Sequence, residues 1–256
     1  MVAFSLFIEG GANMSKTKPI IFWSAGHGKK GSGAVGYVDE ALSNIKVVNY
    51  GCEYLQKNYV CTVYKDITTA NLNEVIKKAN KLKADFCHET HFNSGKGNGY
   101  ESLVYAQANV AMGKVFEKHM KAIGQNSRGT KLRPDLGFLR ETYMPALISE
   151  VAFVDNKTDI KDFDEDHELK EAGIALAKAT AEYLKLKKKV SNTYITLYDM
   201  NVRLKPDIDS SYVTMIPKGT KVNITSVNSE GWGKVTYQTR SGYIRVKGTK
   251  QYCKKV

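Results

Sequence analysis

Apolar residues along the first two thirds of the chain follow two alternating patterns. Short apolar runs at residues 19–23, 60–64 and 145–154 predict strands, and residues 85–91 and 100–106, the first of which ends in a loop rich in glycine, are two further strand candidates. Between them, apolar residues recur every three or four positions, as in helices with one buried face. Such helices are predicted around residues 42–55, 72–82, 110–123 and 167–186. Strands that alternate with helices predict an α/β domain with a mostly parallel sheet flanked by helices.

The last quarter of the chain has a different pattern. A lysine-rich stretch at residues 187–193 predicts a charged linker, and beyond it short strand-like segments alternate with turn residues. This pattern predicts a second, small all-β module over residues 194–256. The α/β domain would then span residues 14–186, and we interpret residues 1–13, upstream of Met14, as an N-terminal extension.

The net charge of the chain indicates which class of partner it favours. The 256-residue chain carries a formal net charge of +12, and residues 191–256 hold 11 Lys+Arg against 4 Asp+Glu, a net +7. Such an excess favours an anionic partner. We expect neither membrane insertion, because no apolar stretch approaches ~18–20 residues, nor a nucleic-acid partner, for which charge would be the only support. The sequence carries no prediction of oligomeric state.

Two further features bear on the compartment in which the protein is made. The four widely spaced cysteines are interpreted as small buried residues in a reducing compartment. Residues 2–8 are largely apolar, but they lack a basic flank and are followed directly by Glu9. For this reason they are not expected to be a signal peptide. We therefore expect synthesis in the cytoplasm.

Three residues are candidates for one metal site. His27 lies in a glycine-rich turn beyond the first strand, where open α/β sheets bind ligands. Glu40 lies near the start of the next helix, and His91 near the carboxyl end of a later strand. Two imidazoles and one carboxylate form a common catalytic zinc set that leaves a position open for water. Each residue also has a structural interpretation, such as a favourable helix-dipole contact for Glu40.

Neighbouring residues offer competing ligands. Side chains alternate between the faces of a strand, so Cys87, Glu89 and His91 share one face. His88 points to the other face and is interpreted as a core or supporting histidine. His91 is preferred as the ligand because it is nearest the carboxyl end of the strand.

Glu150 lies within the apolar run at residues 145–154. A lone carboxylate there is costly to bury unless it is paired or lies near a cation. One interpretation is a general base beside a metal, and the alternative is a buried ion pair with Arg140.

A rival interpretation of the glycine-rich turn is a dinucleotide site. Residues 26–31 match G-x-G-x-x-G after a strand. That fingerprint must open directly into a helix and needs an acidic residue about 20 positions later, at the end of a second strand. Residues 32–36 continue the loop, and Glu53 falls within the predicted helix. The metal interpretation is therefore preferred.

The same residues carry a family resemblance. These residues, in order along the chain, resemble the zinc-dependent N-acetylmuramoyl-L-alanine amidases of bacterial autolysins and phage endolysins: residues 25–28, Glu40, residues 79–85, 90–94, 139–142 and 145–156. The resemblance covers nearly all of residues 18–186. It implies that His27, Glu40 and His91 bind zinc and that Glu150 is the catalytic glutamate.

The resemblance also implies substrate contacts, and the sequence departs from the family pattern in two places. Asn93 and Arg140 are expected near the bound substrate. Thr90 stands where an apolar residue is usual, and His88 adds a second histidine.

Residues 201–206, 217–222, 231–235 and 242–244 resemble a bacterial SH3-like domain of the cell-wall-binding kind, over about residues 194–250. The resemblance implies peptidoglycan as the docking surface, with Trp232, Tyr237 and Tyr243 in a binding groove. Alternatively, Trp232 packs the small barrel.

Together the two resemblances imply a peptidoglycan hydrolase. It would cleave the amide between N-acetylmuramic acid and L-alanine with a zinc-activated water, act at the bacterial cell wall after release, and be a phage-type endolysin. The alternatives are a sporulation or mother-cell autolysin of the same activity, another zinc peptidase or deacetylase, and a wall-binding protein without activity.

Overall fold

The computed structural model describes residues 18–29, 32–69, 71–189 and 192–256. The chain divides into two compact units, with the boundary after Lys189. The predicted N-terminal extension, residues 1–13, lies outside the described residues.

The first unit alternates strands and helices. In chain order its strands and α-helices are β1 (Ile20–Ala25), α1 (Glu40–Asn58), β2 (Thr62–Asp66), α2 (Leu72–Leu82), β3 (Phe86–Asn93), β4 (Tyr100–Val104), α3 (Val110–Lys121), β5 (Ser127–Leu132), α4 (Gly137–Glu141), β6 (Ala146–Phe153), α5 (Lys157–Ile160) and α6 (Asp166–Tyr183).

The strands form one six-stranded sheet in the order β2-β1-β3-β6-β4-β5. Four neighbouring pairs are parallel, and only the β4–β6 pair is antiparallel. The carboxyl ends of β1, β3 and β6 therefore meet at one edge of the sheet. Polar residues at these three ends can converge there, as the sequence predicts for His27 and His91.

Helices cover both faces of this sheet. On one face, β1, β3 and β6 pack against α1, α3 and α6 through a large apolar cluster that includes Trp23, Phe86 and Leu147. On the other face, a smaller cluster that includes Cys87 and Ile148 packs against α2 and α4. Because side chains alternate along a strand, residues 89 and 91 of β3 lie on the same α2 and α4 face as Cys87, and residue 150 of β6 lies on the same face as Ile148.

The second unit is an antiparallel β-sheet module. Its strands are β7 (Thr193–Thr196), β8 (Met200–Arg203), β9 (Tyr212–Ile216), β10 (Lys221–Val227), β11 (Trp232–Tyr237), β12 (Arg240–Arg245) and β13 (Cys253–Lys255). They pair in the order β13-β7-β10-β11-β12-β8-β9. Alternate residues such as Val202, Ile224 and Ile244 form its core.

The predicted fold class is confirmed: a mostly parallel sheet with helices on both faces, and a separate small all-β module. β5, α4 and α5 were not predicted, because each is only four to six residues long and holds two charged side chains. All four cysteines are buried and free. None of the helices in the described residues is long and apolar enough to cross a membrane.

Candidate metal centre

The turn after β1 places His27 at the edge of the sheet. His27 adopts a left-handed backbone conformation with φ of 56°. The turn is fixed from two sides, since the Gly26 amide donates to the Thr90 carbonyl at 2.8 Å and the Asn44 side chain of α1 donates to the Gly26 carbonyl at 2.8 Å. A Cβ on Gly26 would lie 2.2 Å from His91 Cε1, so only glycine lets the turn approach this imidazole.

Glu40 enters the same space as the first residue of α1. Asp39 precedes it as the N-cap and accepts a hydrogen bond from the Leu42 amide at 3.1 Å. The Glu40 carboxylate is buried, and it accepts from the amides of Ala34 at 2.8 Å and Phe92 at 3.3 Å. Burial alone would raise the pKa of Glu40, but the hydrogen bond and charge of His91, together with the Ala34 amide and the charge of His27, outweigh it and hold this pKa below its usual value.

His27, Glu40 and His91 lie together at this edge. Glu40 Oε1 is 2.9 Å from His91 Nδ1 and 3.7 Å from His27 Nε2. One ligand atom from each of the three residues lies within 4.8 Å of the other two. In the described part of the chain this is the one group of three or more such side chains close enough to hold a metal ion. His27 keeps 39% of its side chain exposed, so the cluster opens to solvent on that side.

His91 is held between two carboxylates. Its Nδ1 faces Glu40, and its Nε2 lies 3.2 Å from Glu89 Oε2. Burial would lower the pKa of His91, but its hydrogen bonds to Glu40 and Glu89, together with the charges of Glu89 and Glu150, outweigh burial and raise this pKa well above its usual value.

Glu150 lies beside His91 on the neighbouring strand. The sheet register pairs His91 of β3 with Glu150 of β6, and Glu150 with Glu101 of β4. All three side chains lie on the α2 and α4 face, because they are spaced by even numbers of residues from apolar residues of that face. Oε2 of Glu150 is buried without a hydrogen-bond partner among the described residues.

The surroundings of Glu150 favour its protonated form. Burial raises the pKa of Glu150 to about 7; the positive charge of His91 opposes this shift, and the charges of Glu40, Glu101 and Glu89 add to it. A carboxyl group with such a pKa, next to a metal-ligand cluster, suits a group that accepts and returns a proton near neutral pH.

The two predicted substrate contacts lie in different surroundings. Asn93, at the end of β3, donates a hydrogen bond from its side-chain amide to Glu101 Oε2 at 3.4 Å. It therefore lies close to Glu150, which is paired with Glu101 on one side and with His91 on the other. Arg140, on α4, is exposed and bonds to the Asp135 carbonyl at 2.9 Å and to Glu141 Oε1 at 2.7 Å. Among the described residues no ion pair joins Arg140 to Glu150, which removes the buried ion pair as an explanation of Glu150.

His88 lies on the opposite face, as its position in β3 predicts. It is fully buried, its ring stacks on Trp23 with centroids 4.5 Å apart, and its Nε2 lies 2.8 Å from Ser149 Oγ. Burial lowers the pKa of His88 to about 3. Its ring therefore belongs to the core, and the choice of His91 over His88 follows from the alternation of the strand.

The structure adds residues to the site that the sequence analysis did not select. Glu101 is 9% exposed and accepts a hydrogen bond from Arg128 Nε at 2.6 Å. Arg128 also lies over the Phe153 ring, 5.2 Å from its centroid. The position of Glu101 two residues before buried Leu103 could have placed it on the site face, but only the pairing of β4 with β6 puts it beside Glu150.

The aromatic residues predicted to bind the cell wall lie on both faces of the second unit. Trp232 is only 4% exposed, with the Arg245 guanidinium 5.1 Å from its ring centroid. Pairing of Trp232 with Arg245 and of Lys234 with Tyr243 puts Trp232 and Tyr243 on one face. Tyr237 packs against the apolar core on the other face.

Two family sequence models match the chain. The model described as Amidase_3, N-acetylmuramoyl-L-alanine amidase, matches residues 21–182, and the model of the bacterial SH3 domain matches residues 199–250. The first match contains His27, Glu40, His91 and Glu150.

Individual proteins agree with these matches. The chain is 32% identical to the endolysin of Bacillus phage SPP1 over 184 residues, which cover 66% of this chain and 68% of that protein. It is 30% identical over 153 residues to the sporulation-specific N-acetylmuramoyl-L-alanine amidase of Bacillus subtilis (strain 168), covering 54% of this chain and 58% of that protein.

A solved structure shows the same likeness. The catalytic domain of CwlV, an N-acetylmuramoyl-L-alanine amidase from Bacillus (Paenibacillus) polymyxa var. colistinus, aligns with a TM-score of 0.61 at 28% identity, covering 66% of this chain and 99% of that domain. With a family match over more than half of its length, the chain belongs to the N-acetylmuramoyl-L-alanine amidase family.

Proposed function

We propose that the chain is a zinc-dependent peptidoglycan amidase that cleaves the bond between the lactyl group of N-acetylmuramic acid and L-alanine. The observation that carries the proposal is the group of His27, Glu40 and His91, which lies beside Glu150 at the carboxyl edge of the sheet. Family membership supplies the substrate class.

The residues fit a catalytic zinc site. Two imidazole nitrogens and one carboxylate oxygen are typical zinc ligands, and three protein ligands leave a position for water or substrate. The carboxylate of Glu40 is fixed by two backbone amides, so the site is preorganised before any ion binds. The exposed side of His27 leaves room for an approaching substrate.

Glu150 is the proposed proton carrier. A zinc ion at this site would polarise the amide carbonyl and lower the pKa of a water molecule toward ~7. Glu150 accepts the proton of the attacking water and returns it to the nitrogen of the leaving L-alanine, so the carbon–nitrogen bond breaks without an unstable amide anion. Its buried, unpartnered Oε2 is the oxygen that would carry this proton.

Two residues are proposed to contact the substrate. The Asn93 amide lies on the same edge as Glu150 and can bond to the peptide. Arg140 offers an exposed guanidinium on α4, the helix whose apolar residues pack with β6 on the site face. A carboxylate of the peptide is the partner that its charge favours.

The second unit is proposed to hold the enzyme on the cell wall. Its net charge of +7 suits a wall with anionic polymers, and attachment raises the local concentration of enzyme near its substrate. Tyr243 and Trp232 are the proposed wall contacts of one face, and Tyr237 that of the other. Likeness to the SPP1 protein favours a phage-type endolysin, while likeness to the sporulation amidase supports an autolysin as the second candidate.

Analysis of digested peptidoglycan tests the activity. We expect new N-terminal alanine, with neither released acetate nor new amines inside the peptide, which a deacetylase or an endopeptidase would produce. Glu150→Ala should reduce the turnover rate by about 10²- to 10⁴-fold and leave the zinc content unchanged. Equal clearing of walls by the variant and the parent would contradict the role of Glu150.

A further inference from the structure

We infer that Glu89 is a positioning residue for the metal centre: its carboxylate accepts a hydrogen bond from Nε2–H of His91 and so keeps Nδ1 of that ring free to bind the ion. The inference rests on the proposed zinc site. It assigns a role to a side chain that the metal-ligand set leaves out.

One nitrogen of His91 faces the proposed carboxylate ligand, Glu40. Nδ1 lies 2.9 Å from Glu40 Oε1, and the same oxygen is 3.7 Å from His27 Nε2. Nδ1 is therefore the nitrogen of His91 that would bind the ion. A neutral imidazole carries one proton, so a lone pair at Nδ1 requires the proton to reside on Nε2.

Glu89 is placed to accept that proton in a hydrogen bond. Its Oε2 lies 3.2 Å from His91 Nε2, on the side of the ring away from Glu40. Both residues belong to β3 and point to the same face, so the strand itself fixes their spacing. A carboxylate on the second nitrogen of a metal-binding histidine fixes its tautomer and ring orientation.

A second contact fixes Glu89 in turn. Ser24, at the end of β1, donates from Oγ to Glu89 Oε1 at 3.3 Å, and the sheet register pairs these two residues. Glu89 is only 6% exposed, so its two oxygens depend on such partners. Ser24, Glu89 and His91 are thus linked by consecutive hydrogen bonds that run from β1 to the proposed metal ligand His91.

Glu89 is not itself a member of the ligand group. The described side chains close enough to share one ion are His27, Glu40 and His91. Glu89 contacts the opposite nitrogen of His91, and its effect must therefore pass through the imidazole. Loss of such a supporting hydrogen bond typically weakens metal affinity by about 10- to 100-fold.

Zinc affinity, measured by competition with a chelating dye, tests the inference. We expect Glu89→Ala to weaken zinc binding by about 10- to 100-fold, and Glu89→Gln, whose amide oxygen still accepts a hydrogen bond, to recover most of that loss. Glu117→Gln is the matched control, because it neutralises a half-buried carboxylate of α3 that accepts a hydrogen bond from Ser127 Oγ at 3.0 Å, and α3 covers the opposite face of the sheet. It should bind zinc as the parent does.

The tautomer gives a readout independent of affinity and of activity. Nitrogen-15 spectra of the zinc-loaded protein, labelled at its five histidines, should show His91 protonated at Nε2 in the parent and in Glu89→Gln. If Glu89→Ala does not fold, Ser24→Ala removes the second partner of Glu89 and should weaken zinc binding by about 3- to 10-fold.

The outcomes separate this inference from the proposed function. Parent affinity in Glu89→Ala, equal losses in Glu89→Ala and Glu89→Gln, or an Nδ1–H tautomer in the loaded parent would each overturn the role of Glu89. A parent chain that binds no zinc would instead overturn the metal centre itself.

Discussion

At the scale of single residues, Glu150 is stabilised in its protonated form by the fold. Its pKa is about 7 in the folded chain, raised chiefly by burial, against an ordinary value of 4.5. Between these two pH values the folded state binds more protons at this group than the unfolded state. The stabilising contribution of Glu150 is therefore complete below pH 4.5 and is lost as the pH rises through 7.

This linkage predicts a pH-dependent difference between two metal-free proteins. From pH 4.5 to 7, the free energy of unfolding of the parent should fall relative to that of Glu150→Gln, by about 1.4 kcal/mol per pH unit. Urea unfolding of chelator-treated protein at several pH values measures it. The exposed Glu141→Gln serves as the control, and parallel pH curves for the parent and Glu150→Gln would contradict the environment assigned to Glu150.

His88 predicts the opposite pH dependence. Burial lowers its pKa to about 3 in the folded chain, so between pH 3 and 6.5 the unfolded state binds more protons. Relative to His88→Gln, the parent should therefore lose about 1.4 kcal/mol per pH unit on acidification below pH 6.5. His167→Gln, at a histidine that is 69% exposed, should show the same loss as the parent. Acid unfolding curves of the parent and of the two variants test this prediction.

The sequence alone can place individual side chains where one strand or turn determines their position. The alternation of β3 separated His91 from His88, and the loop beyond residue 31 argued against a nucleotide site. Glu101 and Arg128 were not selected, because their link to Glu150 depends on the antiparallel pairing of β4 with β6. No local pattern encodes which strands become neighbours.

At the scale of elements, α1 and α6 approach each other through two glycines. A Cβ on Gly173 of α6 would lie 2.5 Å from the Val47 carbonyl oxygen and 2.9 Å from the Gly51 nitrogen of α1. These are backbone atoms, so the helices cannot make room without moving apart. The contact matters for the site because α1 carries both Glu40 and Asn44.

Gly173→Ala is therefore expected to destabilise the first unit. Inside an exposed helix this change would stabilise by ~1 kcal/mol, but overpacking here should cost about 1–3 kcal/mol. Urea unfolding measures whether the free energy of unfolding falls or rises. Gly137→Ala is the control, because its Cβ would meet the mobile end of Leu72 at 3.1 Å. A more stable Gly173→Ala would show that the two helices are not in close backbone contact.

Apolar periodicity in the sequence predicts the long elements of the fold and not the short ones. Long elements with a regular apolar repeat, such as α2 and α6, are recognised from the sequence because their buried faces recur over several turns. β5 and α4 are five or six residues long and largely exposed or charged, so too few apolar positions repeat. Their structure is imposed by packing against β4 and α2.

At the scale of the whole molecule, catalysis and attachment are assigned to different units. Every proposed metal ligand and Glu150 belong to the first unit, and all the proposed wall contacts belong to the second. A chain that ends at Lys189 should keep its turnover on a soluble muramoyl peptide and lose binding to intact walls. Co-sedimentation with purified walls and a soluble-substrate assay measure the two properties. Loss of both together would contradict this division.

Charge should govern the attachment. Residues 191–256 of the second unit carry +7 over 66 residues, against +5 for the remaining 190. Salt shortens the range of such charges from ~10 Å at 0.1 M to ~3 Å at 1 M. Wall binding by the full chain should therefore weaken steeply between these salt concentrations, while turnover of an uncharged soluble substrate changes little. Binding isotherms on walls with and without their anionic polymers measure the effect. Salt-independent binding would instead assign attachment to the aromatic contacts around Tyr243, and Tyr243→Ala would then abolish it.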